Sequence, residues 1–249
     1  DWSALPAFDL LLASPACQGH SQASQPRRRA FHDALRATAW AVVDCVEVTT
    51  PRAFVVENVL DFTRWQHFDL WCQALGRMGY AVAINSVLAT EHGVPQLRRR
   101  LFVTGVRGRR AIEVAPTMPG QRPPFGPCIE WGCGSWRPIG KAGAGARKRI
   151  DVGRGRHGDR FITQHVTGHK GIPLHEPIRT ITCQDQFAVV DGDRYRPLTI
   201  RETARAMGFG DHYRWPSSAK RRDAIRGLGN AVSPLVARDV VRQVAEVAA

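Results

Sequence analysis

Apolar residues in this chain come in short dense runs near its start, separated by stretches of helical spacing. FDLLLA, residues 8 to 13, is a continuous apolar run, the pattern of a strand buried on both faces. From Pro26 to Val48 the apolar positions Phe31, Ala34, Leu35, Val42 and Val46 recur at helical intervals. AFVVE, 53 to 57, predicts a second buried strand. Trp65, Phe68, Trp71, Leu75 and Met78 then stripe a helix closed by Gly79, and core packing is the plain use of such a stripe. YAVAINSV (80 to 87) and LFVTGV (101 to 106) predict further strands. Strand, helix, strand, helix, strand is the alternation of an α/β domain built on a mostly parallel sheet.

The pattern then breaks. Between Pro116 and Gly145, 13 of 30 residues are Gly or Pro, and Arg137 to Arg160 holds eight Lys or Arg against two Asp. Neither a regular helix nor a central strand is expected there. A disordered linker is the plainer alternative, but Phe125, Trp131, Trp136 and Phe161 give the segment something to bury, which favours an ordered, loop-rich, basic insert. Regular structure is expected again near TITCQDQFAVVD (180 to 191). Thr199 and Glu202 form a capping box that starts a helix. Ser233 is read as the N-cap and Pro234 as the first residue of a last helix, whose apolar face uses Leu235, Val236, Val240, Val244 and Val247. The expected organisation is residues 1 to 106, an insert over 107 to 178, and a return over 179 to 249.

Charge adds a partner. The net charge is +13, from 35 Lys and Arg against 22 Asp and Glu. That balance points to a polyanion, although an Arg-rich surface without a ligand has the same count. No run of about 18 apolar residues and no charged-then-apolar leader is present, so no membrane partner is expected and the chain reads as cytoplasmic. Six scattered cysteines without a C-x-x-C pair argue against a disulfide framework. Cys128 and Cys133 with His157, His165 and His169 lack the usual ligand spacing of zinc, so no metal is expected.

The residue that most needs a reason is Cys17, in PACQGHS just past the first strand. Loops at the carboxyl ends of parallel strands are where α/β proteins hold ligands, and an activated thiol there is a nucleophile. A buried small hydrophobe is the commoner fate of a lone cysteine. The second strand ends in Glu57-Asn58-Val59, which puts a carboxylate on the same edge. A thiol and a carboxyl facing one cleft suit attack on a ring whose nitrogen must be protonated or polarised.

At this point the resemblance is specific. PACQGHS resembles the Pro-Cys-Gln motif of DNA (cytosine-5)-methyltransferases. FVVENV is similar to their Glu-Asn-Val motif, and GVPQLRRRLFVTGVR (93 to 107) to their Gln-x-Arg-x-Arg motif. YRPLTIRETARAMGFGD (195 to 211) resembles the helix after the recognition region, and GLGNAVSP (227 to 234) the closing Gly-Asn-x-Val motif. The resemblance implies a Rossmann-like, S-adenosylmethionine-dependent methyltransferase fold, duplex DNA as substrate, and base flipping. It implies a monomer in the nucleoid, and a possible cognate restriction nuclease. Cys17 would be the nucleophile, Glu57 would hold a proton at ring N3, and Arg98 and Arg100 would brace glutamate, base and phosphate. Gln18 and Ser21 would meet the target nucleotide, with Asn58 and Gln96 holding the loops. Asp1, Pro15, Asn230 and Val232 would meet the methyl donor, and 107 to 178 would be the target-recognition region.

The chain also departs from the family. Ala16 stands where many members have proline before the cysteine, and Ser233 replaces a common proline. The family's first strand and Phe-x-Gly-x-Gly turn are not found, so the chain is expected to be truncated before residue 1, to bind S-adenosylmethionine poorly and to be inactive or unstable alone. Two alternatives within the resemblance are a non-enzymatic DNA-binding remnant and cytosine-5 methylation of RNA. A Cys-His hydrolase would leave the Glu-Asn-Val and Gly-Asn motifs unexplained.

Overall fold

A computed structural model describes residues 1–16, 38–216 and 218–249. They form two compact units: Asp1–Leu88, Arg99–Thr117 and Val236–Ala249 in the first, Ala89–Arg98 and Met118–Leu235 in the second.

In the first unit the expected elements form. The order is β1 (Leu10–Ala13), α1 (Trp40–Thr49), β2 (Ala53–Asn58), α2 (Phe68–Arg77) and β3 (Tyr80–Leu88); after β4 (Gln96–Leu97, in the second unit) comes β5 (Arg99–Arg107). The sheet order is β1-β2-β5-β3. β1 and β2 are parallel, and β5 runs antiparallel to both β2 and β3, so β1, β2 and β3 share one direction. A parallel neighbour needs a crossover of about a dozen residues or more, normally a helix. Residues 89 to 98 between β3 and β5 hold, besides β4, only a short 3-10 turn, Ala89–His92, too short for such a crossover, so β5 returns antiparallel. β2 is buried at every position. Phe54 and Val56 face Val42, Val43 and Val46 of α1 and Trp71 and Leu75 of α2, and this is the core of the unit. Trp71 also donates its indole N–H to the Ala39 carbonyl at 2.9 Å, so the buried ring keeps no orphan donor.

One expectation needs correction here. β1 is not buried on both faces: among the described strands it pairs only with β2, and Leu12 is 59% exposed. Of the helix expected over Pro26 to Val48, residues 26 to 37 lie outside the described ones, and α1 begins at Trp40.

The second unit is built on an antiparallel sheet. Its elements are β6 (Arg137–Pro138), α3 (Ala144–His157), β7 (Arg160–Gln164), β8 (Ile172–Pro173), β9 (Ile178–Arg179), β10 (Phe187–Asp191), β11 (Arg194–Pro197), α4 (Ile200–Ala206) and α5 (Arg221–Asn230). The sheet runs β6-β11-β10-β7-β8, and β4 pairs with β9 separately. β7 and β10 stand on either side of position 178, so compactness groups the chain differently from the functional regions expected by sequence.

The 14-residue helix α3 is a correction, since no regular helix was expected among so many glycines. Each interior glycine costs a helix about 1 kcal/mol relative to alanine. Packing offsets that cost. Ile150 and Gly153 form the buried stripe of α3, and a Cβ at 153 would sit 2.3 Å from Cε2 of Phe161 on β7. The glycine lets the helix lie on that ring, which is itself fully buried.

The capping box forms as expected: Thr199 Oγ1 accepts from the Glu202 amide at 3.1 Å, and Glu202 accepts from the Thr199 amide at 2.6 Å. Glu202 also takes two bonds from Arg196, at 2.7 and 2.8 Å, and the Glu130 amide at 2.8 Å. Arg196 and Glu202 are 1% and 0% exposed, so neither charge has water as a substitute. Burial alone would raise the pKa of Glu202, but the bonds from Arg196 and from the Thr199 and Glu130 amides outweigh it and hold the carboxyl below its ordinary value. A carboxyl depressed by folding stabilises fully above its unfolded pKa, near 4.5, and progressively less as pH falls through the folded value. Glu202→Gln is therefore expected to lower the melting temperature at pH 7 and to flatten its decline below about pH 5, as thermal melts across pH will show. An acid limb as steep as that of the unaltered protein would count against a stabilising role for the ionised carboxyl.

Candidate active site

β1 and β2 are paired in parallel with Ala13 opposite Val56, so their carboxyl ends reach the same edge of the sheet. That edge is the ligand-binding side of open α/β sheets. Asn58, 2% exposed, ends β2 and reaches across it. Its Nδ2 donates to the Pro15 carbonyl at 3.1 Å, and its Oδ1 accepts the Val59 amide at 2.8 Å. The loop leaving β1 is thus tied to the end of β2. The Ala16 amide donates to Thr38 Oγ1 at 3.2 Å. Cys17, Gln18 and Ser21 lie outside the described residues.

Glu57 is placed by strand alternation. It stands opposite Phe102 on β5, on the face away from α1 and α2. Arg100 is two residues from Phe102 on the same strand, hence on the same face and diagonal to Glu57. Its Nε lies 3.4 Å from Glu57 Oε1, with the side chains 20% and 11% exposed. Such a pair is screened less than a surface one and holds the carboxyl in a fixed direction.

Gln96 and Arg98 belong to the second unit. Gln96 is fully buried; its Nε2 donates to the Ala206 carbonyl at 3.0 Å and its Oε1 accepts the Ile181 amide at 2.9 Å. Arg98, 2% exposed, donates to three carbonyls: Ile181 at 3.1 Å, Gly229 at 3.0 Å and Ala231 at 2.9 Å. One guanidinium thus gathers the end of α5 and the segment at 181. That segment crosses α5 so closely that a Cβ at Gly229 would lie 2.4 Å from the Thr182 carbonyl carbon, which explains the glycine of GLGN. Sequence reasoning missed this clamp. Its partners are 83 to 133 residues from Arg98, and backbone carbonyls leave no mark in a residue pattern.

Of the residues expected at the methyl donor, Pro15 holds Asn58 as described. Asn230 is exposed at the end of α5, with the Cys183 thiol 3.0 Å from its Oδ1, and Val232 is half-buried just beyond. Asp1 is exposed and accepts from the Ser3 amide and hydroxyl at 3.0 and 2.6 Å. Ser233 precedes a helix that does begin at Pro234, but its hydroxyl makes no capping bond: it is buried without a partner and lies against Gly208.

The described thiols are poor nucleophiles where they are buried: desolvation pushes Cys72 and Cys128 up to about 11. Burial, then the charges of Arg179, Arg149 and His157, push His169 down to about 4. Its Nδ1 accepts the amides of Gln164 and Gly171, each at 3.2 Å. Among the described residues no three His, Cys, Asp or Glu side chains converge as a metal site, and no helix is long and apolar enough to cross a membrane.

The profile of C-5 cytosine-specific DNA methylases matches residues 1–126 and 140–246. The type II methyltransferase M.AplI of Arthrospira platensis is 28% identical over 250 residues, covering 95% of this chain and 68% of that protein. M.BspRI of Lysinibacillus sphaericus is 25% identical over 268 residues, covering 98% of this chain and 62% of that protein. A putative DNA modification methyltransferase encoded within an E. coli prophage has the same fold at 19% identity, with a TM-score of 0.67 over 96% of this chain and 79% of that one. A DNMT2 variant of Spodoptera frugiperda superposes with a TM-score of 0.64 at 16% identity, over 95% and 79% of the two chains.

Proposed function

Because the chain belongs to the C-5 cytosine-specific DNA methylase family, we propose that it transfers a methyl group to carbon-5 of a flipped cytosine in double-stranded DNA. Carbon-5 is a poor nucleophile. A thiolate adding to carbon-6 turns the ring into an enamine and splits one hard step into two easier ones. Cys17 is that thiol. Glu57 holds a proton against ring N3 and so favours the addition. Arg100 keeps the Glu57 carboxyl in place, Asn58 fixes the loop through Pro15, and Gln96 is a positioning residue; Arg98, which the resemblance sets beside glutamate, base and phosphate, is instead given a positioning role, because its guanidinium is 2% exposed and bound to three carbonyls. Gln18 and Ser21 contact the target nucleotide, and residues 107 to 178 read the duplex, with most of their arginines on phosphates.

S-adenosylmethionine supplies the methyl group when bound. Asp1, Pro15, Asn230 and Val232 are the residues proposed to meet it. The observation that carries the reading is the parallel pairing of β1 with β2, tied by the Asn58–Pro15 bond, which brings the strand before Cys17 and the strand holding Glu57 to one edge.

The test, run on a longer protein that contains this chain because the chain alone is expected to be inactive, is tritium release from DNA labelled at carbon-5 of cytosine, with S-adenosylmethionine added or withheld. Addition at carbon-6 alone loosens that hydrogen, so release is expected, together with 5-methylcytosine when the donor is bound. A labelled RNA is the comparison. Release from RNA alone would move the substrate to RNA. DNA binding with no release from either would leave a binding module and remove the enzyme.

A further inference from the structure

Asn230 closes α5 with its side chain exposed. Among the described residues its side chain has one hydrogen-bond partner, the Cys183 thiol, whose sulfur lies 3.0 Å from its Oδ1. The two residues are 47 apart in sequence, and the backbone brings them together independently of that bond. Arg98 donates to the carbonyls of Gly229 and Ala231, one on each side of Asn230, and to that of Ile181, two residues before Cys183. Gln96 Oε1 accepts the Ile181 amide at 2.9 Å. A Cβ at Gly229 would stand 2.5 Å from the Cys183 amide nitrogen, so the two segments touch main chain to main chain. Arg98 and Gln96 are buried, whereas Cys183 and Asn230 meet at the surface. The exposed contact thus stands on a buried, hydrogen-bonded base.

The two ends of a carboxamide differ chemically: the oxygen accepts and the NH₂ donates. At an exposed helix end with no other contact, the group can turn and offer either. A thiol donates its S–H and accepts only weakly, so it takes the oxygen of Asn230. The NH₂ is then turned away from Cys183, and among the described residues it donates to none. It is open to an acceptor atom that the protein itself does not supply.

We propose that Cys183 is a positioning residue of the methyl-donor site. Its thiol holds the Asn230 amide so that the NH₂, and not the oxygen, meets an acceptor atom of the bound donor. The proposal rests on the reading that Asn230 contacts the donor. Cys183 acts through Asn230 and forms no covalent bond in this role.

Any O–H or S–H donor at position 183 would serve, which sets the test. A longer protein that contains this chain is titrated calorimetrically with S-adenosylhomocysteine, which binds without methyl transfer. Asn230→Ala is expected to weaken binding about tenfold and Cys183→Ala about fivefold. Cys183→Ser is expected to stay within about twofold of the unaltered protein, because a hydroxyl donates to Oδ1 as the thiol does. Asn230→Asp keeps an oxygen for the thiol but has no NH₂, so it is expected to bind no better than Asn230→Ala. Duplex affinity and melting temperature are expected to hold in both Cys183 variants, because that side chain is exposed. Full binding by Cys183→Ala, or equal losses in Cys183→Ala and Cys183→Ser, overturns the proposal while Asn230→Ala still binds weakly. Normal binding by Asn230→Asp overturns it as well, because the oxygen would then face the donor. Unchanged binding by Asn230→Ala removes the donor reading of Asn230 itself, and the role of Cys183 with it.

Discussion

Replacing Arg98 with leucine is expected to lower the stability of the second unit by about 3–5 kcal/mol, the range for removing one partner of a buried charged network. The three carbonyls of Ile181, Gly229 and Ala231 would each lose a charge-assisted donor in a place from which water is excluded. Lysine is not an adequate substitute, because an ammonium lacks the planar fork that reaches three acceptors from one side. Arg98→Lys should therefore recover only part of the loss. Urea unfolding followed by circular dichroism checks both variants. A loss under about 1 kcal/mol for leucine, the size of an ordinary surface change, would mean that this clamp does not hold α5 to the segment at 181.

The second large effect concerns chemistry rather than folding. Glu57→Ala is expected to slow tritium release from labelled DNA by about 10²- to 10⁴-fold, the usual worth of a positioned proton donor. Glu57→Gln should fall between, since an amide can donate to ring N3 but transfers no proton. Stability should move little, because Arg100 remains 20% exposed and can be solvated when its partner is removed. Duplex affinity should stay within about threefold, about 0.6 kcal/mol. Equal losses in affinity and rate would make Glu57 a binding residue only.

Local pattern and long-range contact explain what the sequence could tell. β2, β3, β5 and α2 were legible because dense apolar runs and a helical aromatic stripe are local signals, and the Thr199–Glu202 capping box spans four residues. α3 was not legible: three glycines, at 145, 153 and 155, argue against a helix locally, and only Phe161 on the next strand explains Gly153. The edge position of β1 was hidden as well, because FDLLLA has the composition of a central strand whatever stands beside it. At the candidate site, the motif spelling picked out Glu57, Asn58, Gln96, Arg98 and Arg100, and the pairing of Arg100 with Glu57, but not the backbone partners of Asn58, Gln96 and Arg98. The Asn58–Pro15 bond joins residues 43 apart, and the Arg98 bonds reach 133. Ser233 has the right type and position for a cap, yet its hydroxyl lies against Gly208.

The proposed chemistry requires the Cys17 sulfur and the Glu57 carboxyl to open on one hollow that accepts an extruded pyrimidine. The most direct measurement is covalent capture by a duplex carrying pyrimidin-2-one in place of cytosine, a ring that accepts a thiolate at carbon-6 without needing the methyl donor, followed by peptide mapping. A protein–DNA adduct is expected on Cys17, absent in Cys17→Ser and formed far more slowly in Glu57→Ala. An adduct on any of the other five cysteines, or a rate of capture indifferent to Glu57, would contradict the claim.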